Sequence, residues 1–89
     1  MQGTNDDTGS IRGRVLDRER KPIFRLEIVV TSTTKKYQRI ETTDEYGFYG
    51  FDGLDPDTYT VRVNNDPASI SSAVTVGRKV RALIDFTAN

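Results

Sequence analysis

The chain has no cysteine, no histidine and no tryptophan, only three prolines, and a net charge of zero. Each absence removes a class of function. Without thiols there is neither a disulfide staple nor a thiolate metal site, although many secreted β domains also lack cysteine, so the compartment stays open. Without His or Cys, neither a zinc site nor a His-assisted nucleophile can be built. No run approaches the roughly 20 apolar residues of a membrane-spanning helix, so no membrane insertion is expected. The opening MQGTNDDTGS lacks the apolar h-region of a signal peptide. Read as a whole gene product, such a chain suits a protein assembled inside a cell and carried out on a particle. Read as an excised module, it suits an accessory domain of a secreted or cell-surface protein.

The 89 residues bound a single domain. A chain of this size buries roughly 60–65% of its unfolded surface, so its stability is expected to be modest. The charges are segregated. Ser10 to Arg39 carries nine basic and three acidic residues, net +6, whereas Ile40 to Asp66 carries one basic and seven acidic, net −6. One reading is opposite charges pairing across neighbouring strands, each pair worth about a few tenths of a kcal/mol. The other is a dipolar module that stacks head to tail or docks on a charged partner.

Period two dominates the pattern. In SIRGRVLD, Ile11, Gly13 and Val15 alternate with Arg12 and Arg14, a strand with one wet face. Gly13 on the dry side implies a close backbone approach or a bulge. Pro22 marks a strand boundary. IFRLEIVVTST reads as a second strand with Leu26, Ile28 and Val30 facing one way and Arg25, Glu27 and Val29 the other. YQRIETT reads as a third, with Ile40 and Thr42 inward. Tyr49 and Phe51 point inward from a short fourth strand that Leu54 plugs. Tyr59, Val61 and Val63 point inward from a fifth. After the polar loop NNDPASISS, AVTV is a sixth strand. KVRALIDF is the last, with Val80, Ala82, Ile84 and Phe86 on one face. Seven short strands with turn signals between them mean a sandwich or a small barrel. Residues 1–9 have no apolar anchor and read as a flexible N-terminal arm.

The segment TTDEYGFYGFDGLDPDTYTVRV is explained by packing. Asp44 at the turn can accept backbone N–H bonds, and Gly47 supplies positive φ. Tyr49 and Phe51 bring large apolar area into a small core. Tyr59 is expected to send its hydroxyl to a backbone group near the loop edge, as in a tyrosine corner. These residues, with Gly13, Val15 and Pro22 before them, resemble the carboxypeptidase regulatory-like domain, a relative of transthyretin-like and Cna-B-type sandwiches. The matching positions are Thr43, Asp44, Gly47, Tyr49, Phe51, Leu54, Pro56, Tyr59 and Val61. The resemblance implies an all-β fold over residues 10–89, a single antiparallel seven-stranded β-sandwich, prealbumin-like and Greek-key related. It also implies a non-catalytic module, since such domains mostly accompany enzymes, transporters, surface adhesins and structural assemblies.

The acids Asp44, Glu45, Asp52, Asp55 and Asp57 lack the D-x-[DN]-x-[DN]-G spacing of a calcium loop, so no metal is expected. Arg12, Arg14, Arg18, Arg20, Lys21 and Arg25 are divided between strand and turn, with no nucleic-acid-binding motif, so no nucleic acid is expected. Cna-B-type relatives can carry a Lys–Asn isopeptide bond, but the first strand here has Arg12 and Arg14 in place of lysine, leaving Asn89 without a nucleophile. No catalytic residue and no cofactor are expected. The expected function is a structural subunit of a larger protein assembly: a virion decoration or tail component, or a surface filament, located on a virion or at the cell surface. The alternatives are an accessory module or a glycan or small-ligand binder. The candidate partner contacts are Phe48 and Leu83 as apolar anchors, Tyr37 and Tyr46 with Phe48 as an aromatic platform, and, separately, Arg12 and Arg14.

Overall fold

The computed structural model describes residues 8–64, 72–77 and 79–88. Eight strands follow in chain order: β1 (Gly9–Leu16), β2 (Glu27–Ser32), β3 (Gln38–Thr42), β4 (Phe48–Leu54), β5 (Asp57–Val63), β6 (Ser72–Val76), β7 (Arg81–Leu83) and β8 (Phe86–Thr87). One sheet runs β4-β1-β7, with β8 also on β1, and the other runs β3-β2-β5-β6. Among the described residues no helix is long and apolar enough to cross a membrane.

Alternation on each strand delivers one face to a shared interior. Ile11 and Val15 come from β1, Tyr49, Phe51 and Leu54 from β4, Ile28 and Val30 from β2, and Tyr59, Val61 and Val63 from β5, with Val76 and Phe86 closing the ends. Full burial of side chains of this kind contributes about 1.5–3 kcal/mol each. The Tyr49 ring meets Phe51 edge-on at 6.1 Å between centroids. The turn before β4 forms as its residues require. Asp44 Oδ1 accepts the N–H groups of Tyr46 and Phe48, both at 2.9 Å, and Gly47 has φ 83°. The Tyr59 hydroxyl donates to the Asp55 carbonyl at 2.5 Å.

Several sequence-based expectations are corrected. The last strand is interrupted, which makes eight strands from seven, yet its register is continuous: Arg12 faces Leu83 and Val15 faces Phe86. The interruption lies where the Asp85 carboxylate, in place of a backbone carbonyl, accepts the Arg14 N–H at 2.9 Å. That strand also runs parallel to β1, so this sheet is mixed rather than antiparallel. Residues 23–26 precede β2 instead of extending it: the Thr43 hydroxyl donates to the Ile23 carbonyl and accepts the Leu26 N–H. Finally, β3 has the opposite facing. Ile40 is 50% exposed and Thr42 is exposed, while Arg39 and Glu41 are half-buried. Val29 and Val80 also depart from the alternation, Val29 being buried and Val80 exposed.

The strand β1 begins at Gly9, opposite Leu54, and the Thr8 carbonyl accepts the Lys79 N–H. The rest of the expected arm, most of the polar loop after Asn64, and Asn89 lie outside the described residues.

Candidate interaction surface

With Ile11, Gly13 and Val15 turned inward, Arg12 and Arg14 stand on the outer face of the β4-β1-β7 sheet. The same rule places Phe48 and Asp52 of β4 and Leu83 of β7 beside them. The register then sets the neighbours: Arg14 opposite Phe48, and Arg12 between Gly50 on one side and Leu83 on the other. The Arg14 guanidinium lies 4.9 Å from the Phe48 ring centroid, and its Nε donates to the Tyr46 carbonyl at 2.9 Å. Arg12 pairs with Asp52 at 2.8 Å. Leu83 is 73% exposed and Phe48 50%. Together Arg12, Arg14, Phe48, Tyr49, Leu83 and Asp85 line a shallow groove of about 450 Å³.

Four of the six residues named from sequence therefore share one surface: Arg12, Arg14, Phe48 and Leu83. Tyr46 is exposed nearby in the turn before β4. Tyr37 does not join them. It is half-buried on the other sheet's side, edge-on to Tyr59 with hydroxyls 3.3 Å apart, so it braces the core and gives no platform. Asp85 was missed, because nothing in the sequence marks a carboxylate that will replace a ladder carbonyl.

The turn acids are engaged separately. Asp44 caps its own turn, Asp52 pairs with Arg12, and Asp55 pairs with Lys35 at 2.8 Å. Hydrogen bonds from Ser32 and Thr34 hold the Asp57 carboxyl down to about 2. Among the described residues no group of three or more acidic side chains is gathered as a metal would need. Of the basic residues, Arg18, Arg20 and Lys21 occupy the turn after β1, and Arg25 stacks 5.1 Å from Phe24. Burial, and secondarily the Asp85 charge, raises the Tyr49 hydroxyl's pKa, and that hydroxyl donates to the Ile84 carbonyl at 2.6 Å.

The two neighbouring strand edges differ. On β4, Phe48 exchanges bonds with Asp44, and the Asp52 carbonyl accepts Arg39 at 2.6 Å, so that edge is closed at both ends. On β3, the bonds Ser32 N–H to Tyr37 and Thr43 N–H to Leu26 fix the ladder parity. Arg39 and Glu41 therefore bond to β2, and the N–H and C=O groups of Gln38, Ile40 and Thr42 point away from the sheet.

Comparison with known proteins agrees with this architecture. The family model described as the carboxypeptidase regulatory-like domain matches residues 10–89. Among solved structures, a candidate carbohydrate-binding protein from Bacteroides uniformis superposes with a TM-score of 0.66 at 20% identity, covering 89% of this chain and 40% of that one. The dioxygenase domain of a dioxygenase and carbohydrate-binding protein fusion from Streptomyces sp. SirexAA-E gives 0.64 at 12% identity, covering 100% and 84%. The major pilin subunit of Bacillus cereus gives 0.61 at 16% identity, covering 88% and 29%. At these identities the likeness is one of fold. The chain spans well under half of the first and third of these proteins. No curated protein sequence matches it.

Proposed function

The chain belongs to the carboxypeptidase regulatory-like domain family, and from that premise we propose that it is a non-catalytic interaction module, a subunit of a larger protein assembly on a particle or at a cell surface. The observation that carries this reading is the cluster of Phe48, Leu83, Arg12 and Arg14 on one outer face. Aromatic residues and arginine are the types that dominate protein interfaces, and a leucine exposed as fully as Leu83 contributes nothing to the monomer's core. The interior among the described residues is filled by apolar side chains with the Tyr49 and Tyr59 rings between them, which supports a packing role for these positions.

Sedimentation velocity over a concentration series tests the proposal. Wild-type protein is expected to associate reversibly. Leu83→Asp is expected to remove the largest species without lowering Tm. A protein that stays monomeric up to about 1 mM, where even weak specific contacts are populated, would overturn the assembly reading.

A second reading rests on the exposed rings of Phe48 and Tyr46 beside the Arg12–Asp52 pair, a stacking surface next to polar groups. It makes the domain a glycan binder. Glycan-array binding that is lost in Tyr46→Ala, from a protein that does not associate, would favour it.

A further inference from the structure

We propose that β3 is a self-complementary edge that pairs with β3 of a second copy of this chain, antiparallel and centred on Ile40. The inference deepens the assembly reading and rests on it. Three observations lead to it. First, the outward N–H and C=O groups belong to Gln38, Ile40 and Thr42, so a two-fold axis at Ile40 sets Ile40 against its counterpart and Gln38 against Thr42 of the second copy. Every outward group then gains a partner, six bonds in all by the antiparallel rule. No other register about a two-fold axis uses all three residues.

Second, the same register sets Arg39 against Glu41 of the second copy, twice. These are the close, non-hydrogen-bonded positions, where opposite charges attract and like charges repel. Within one chain the two are unpaired with each other. Arg39 reaches the Asp52 carbonyl and lies 5.7 Å from the Phe51 ring centroid, and Glu41 is half-buried with no cationic partner among the described residues. Charges turned inward on an edge strand normally discourage pairing. Here their order, basic then acidic about an apolar centre, discourages every register but one.

Third, Ile40 is half-exposed on the sheet's outer face beside Val29, its neighbour across the ladder. Pairing joins the two copies' Val29 and Ile40 side chains into one apolar stripe, and the two four-stranded sheets become a single sheet of eight. The contact is isologous, so it closes at two copies. The β4 edge, capped by Asp44 and Arg39, offers no such site.

Two variants test the edge. The Ile40 N–H leaves the sheet, so Ile40→Pro costs the monomer no ladder bond. It is expected to raise the dimer Kd at least a hundredfold in sedimentation equilibrium with Tm little changed. Leu83→Asp is expected to leave this dimer intact. Register is read by cysteine, in a chain that has none of its own. Ile40→Cys places two thiols within disulfide reach across the axis, about 5.5 Å between Cα atoms. Gln38→Cys places them about 13 Å apart, beyond reach. Cross-linking of the first and not the second supports the pairing. Association that survives Ile40→Pro in the Leu83→Asp background, or equal cross-linking of both, overturns the edge while leaving the assembly reading standing. Absence of any association in wild type overturns both.

Discussion

Gly13 lies so close against Ile84 that a Cβ at Gly13 would sit 1.7 Å from the Ile84 carbonyl oxygen. The same carbonyl accepts the Tyr49 hydroxyl, and the Ile84 N–H donates to the Arg12 carbonyl at 2.8 Å. Ile84 is thus clamped from both sides at the point where the last strand is interrupted. Because the blocking atom is backbone, Gly13→Ala has to displace the whole segment. The expected loss is about 3 kcal/mol, the upper part of the range for overpacking, or roughly 12–24 °C in Tm for a domain this small. Urea unfolding and amide exchange at residues 81–88 check it. A Tm within about 2 °C of wild type, half the smallest shift per kcal/mol expected here, would show that the segment does not sit there.

Tyr59 is fully buried, and its hydroxyl joins the Asp55 carbonyl to the Tyr37 hydroxyl. Tyr59→Phe leaves that carbonyl without its donor and should cost about 1–2 kcal/mol. Tyr37→Phe removes only the longer bond and should cost less than half as much. Chemical denaturation of both variants decides the order; a larger loss for Tyr37→Phe would mean that the corner is held from the other side.

Asp57 accepts Ser32 Oγ at 2.5 Å and Thr34 Oγ1 at 2.7 Å. These bonds favour the carboxylate and lower its pKa to about 2, below the roughly 3.9 of an unfolded Asp. The unfolded chain therefore binds the proton first as pH falls. The stabilisation is fully present above about pH 4 and is lost as pH drops through about 2. Carboxyl NMR should show the low midpoint, and the Tm advantage of wild type over Asp57→Asn should shrink between pH 5 and pH 2. A midpoint near 4 would mean that the hydroxyls are not holding the charge.

Local alternation made much of this domain legible. Tyr49, Phe51, Tyr59, Val61 and Val63 read as inward and are inward, and Asp44, Gly47 and Gly13 carry the bonds, φ and close approach that their residue types suggested. The pattern failed where burial depends on a neighbour that periodicity does not name. On β3, apolarity pointed to Ile40 and Thr42, but the inner face of this edge strand meets the seam toward β4, where a half-wet Arg39 can reach the Asp52 carbonyl. The parallel course of β7 and β8 along β1 was also hidden, since the same alternation serves either direction. The candidate surface was legible residue by residue, yet its assembly was not: Phe48 and Leu83 become neighbours only through the register on β1.

The parallel pairing of the last strand with the first has a mechanical consequence. Tension applied through Thr8 and Ala88 pulls β1 and the β7–β8 segment in opposite directions along their length, so the bonds between them are stretched together rather than peeled one by one. Such a joint resists force best along the line joining its ends. Single-molecule pulling should therefore find a higher rupture force through Thr8 and Ala88 than through an attachment that unzips the antiparallel β2–β3 hairpin.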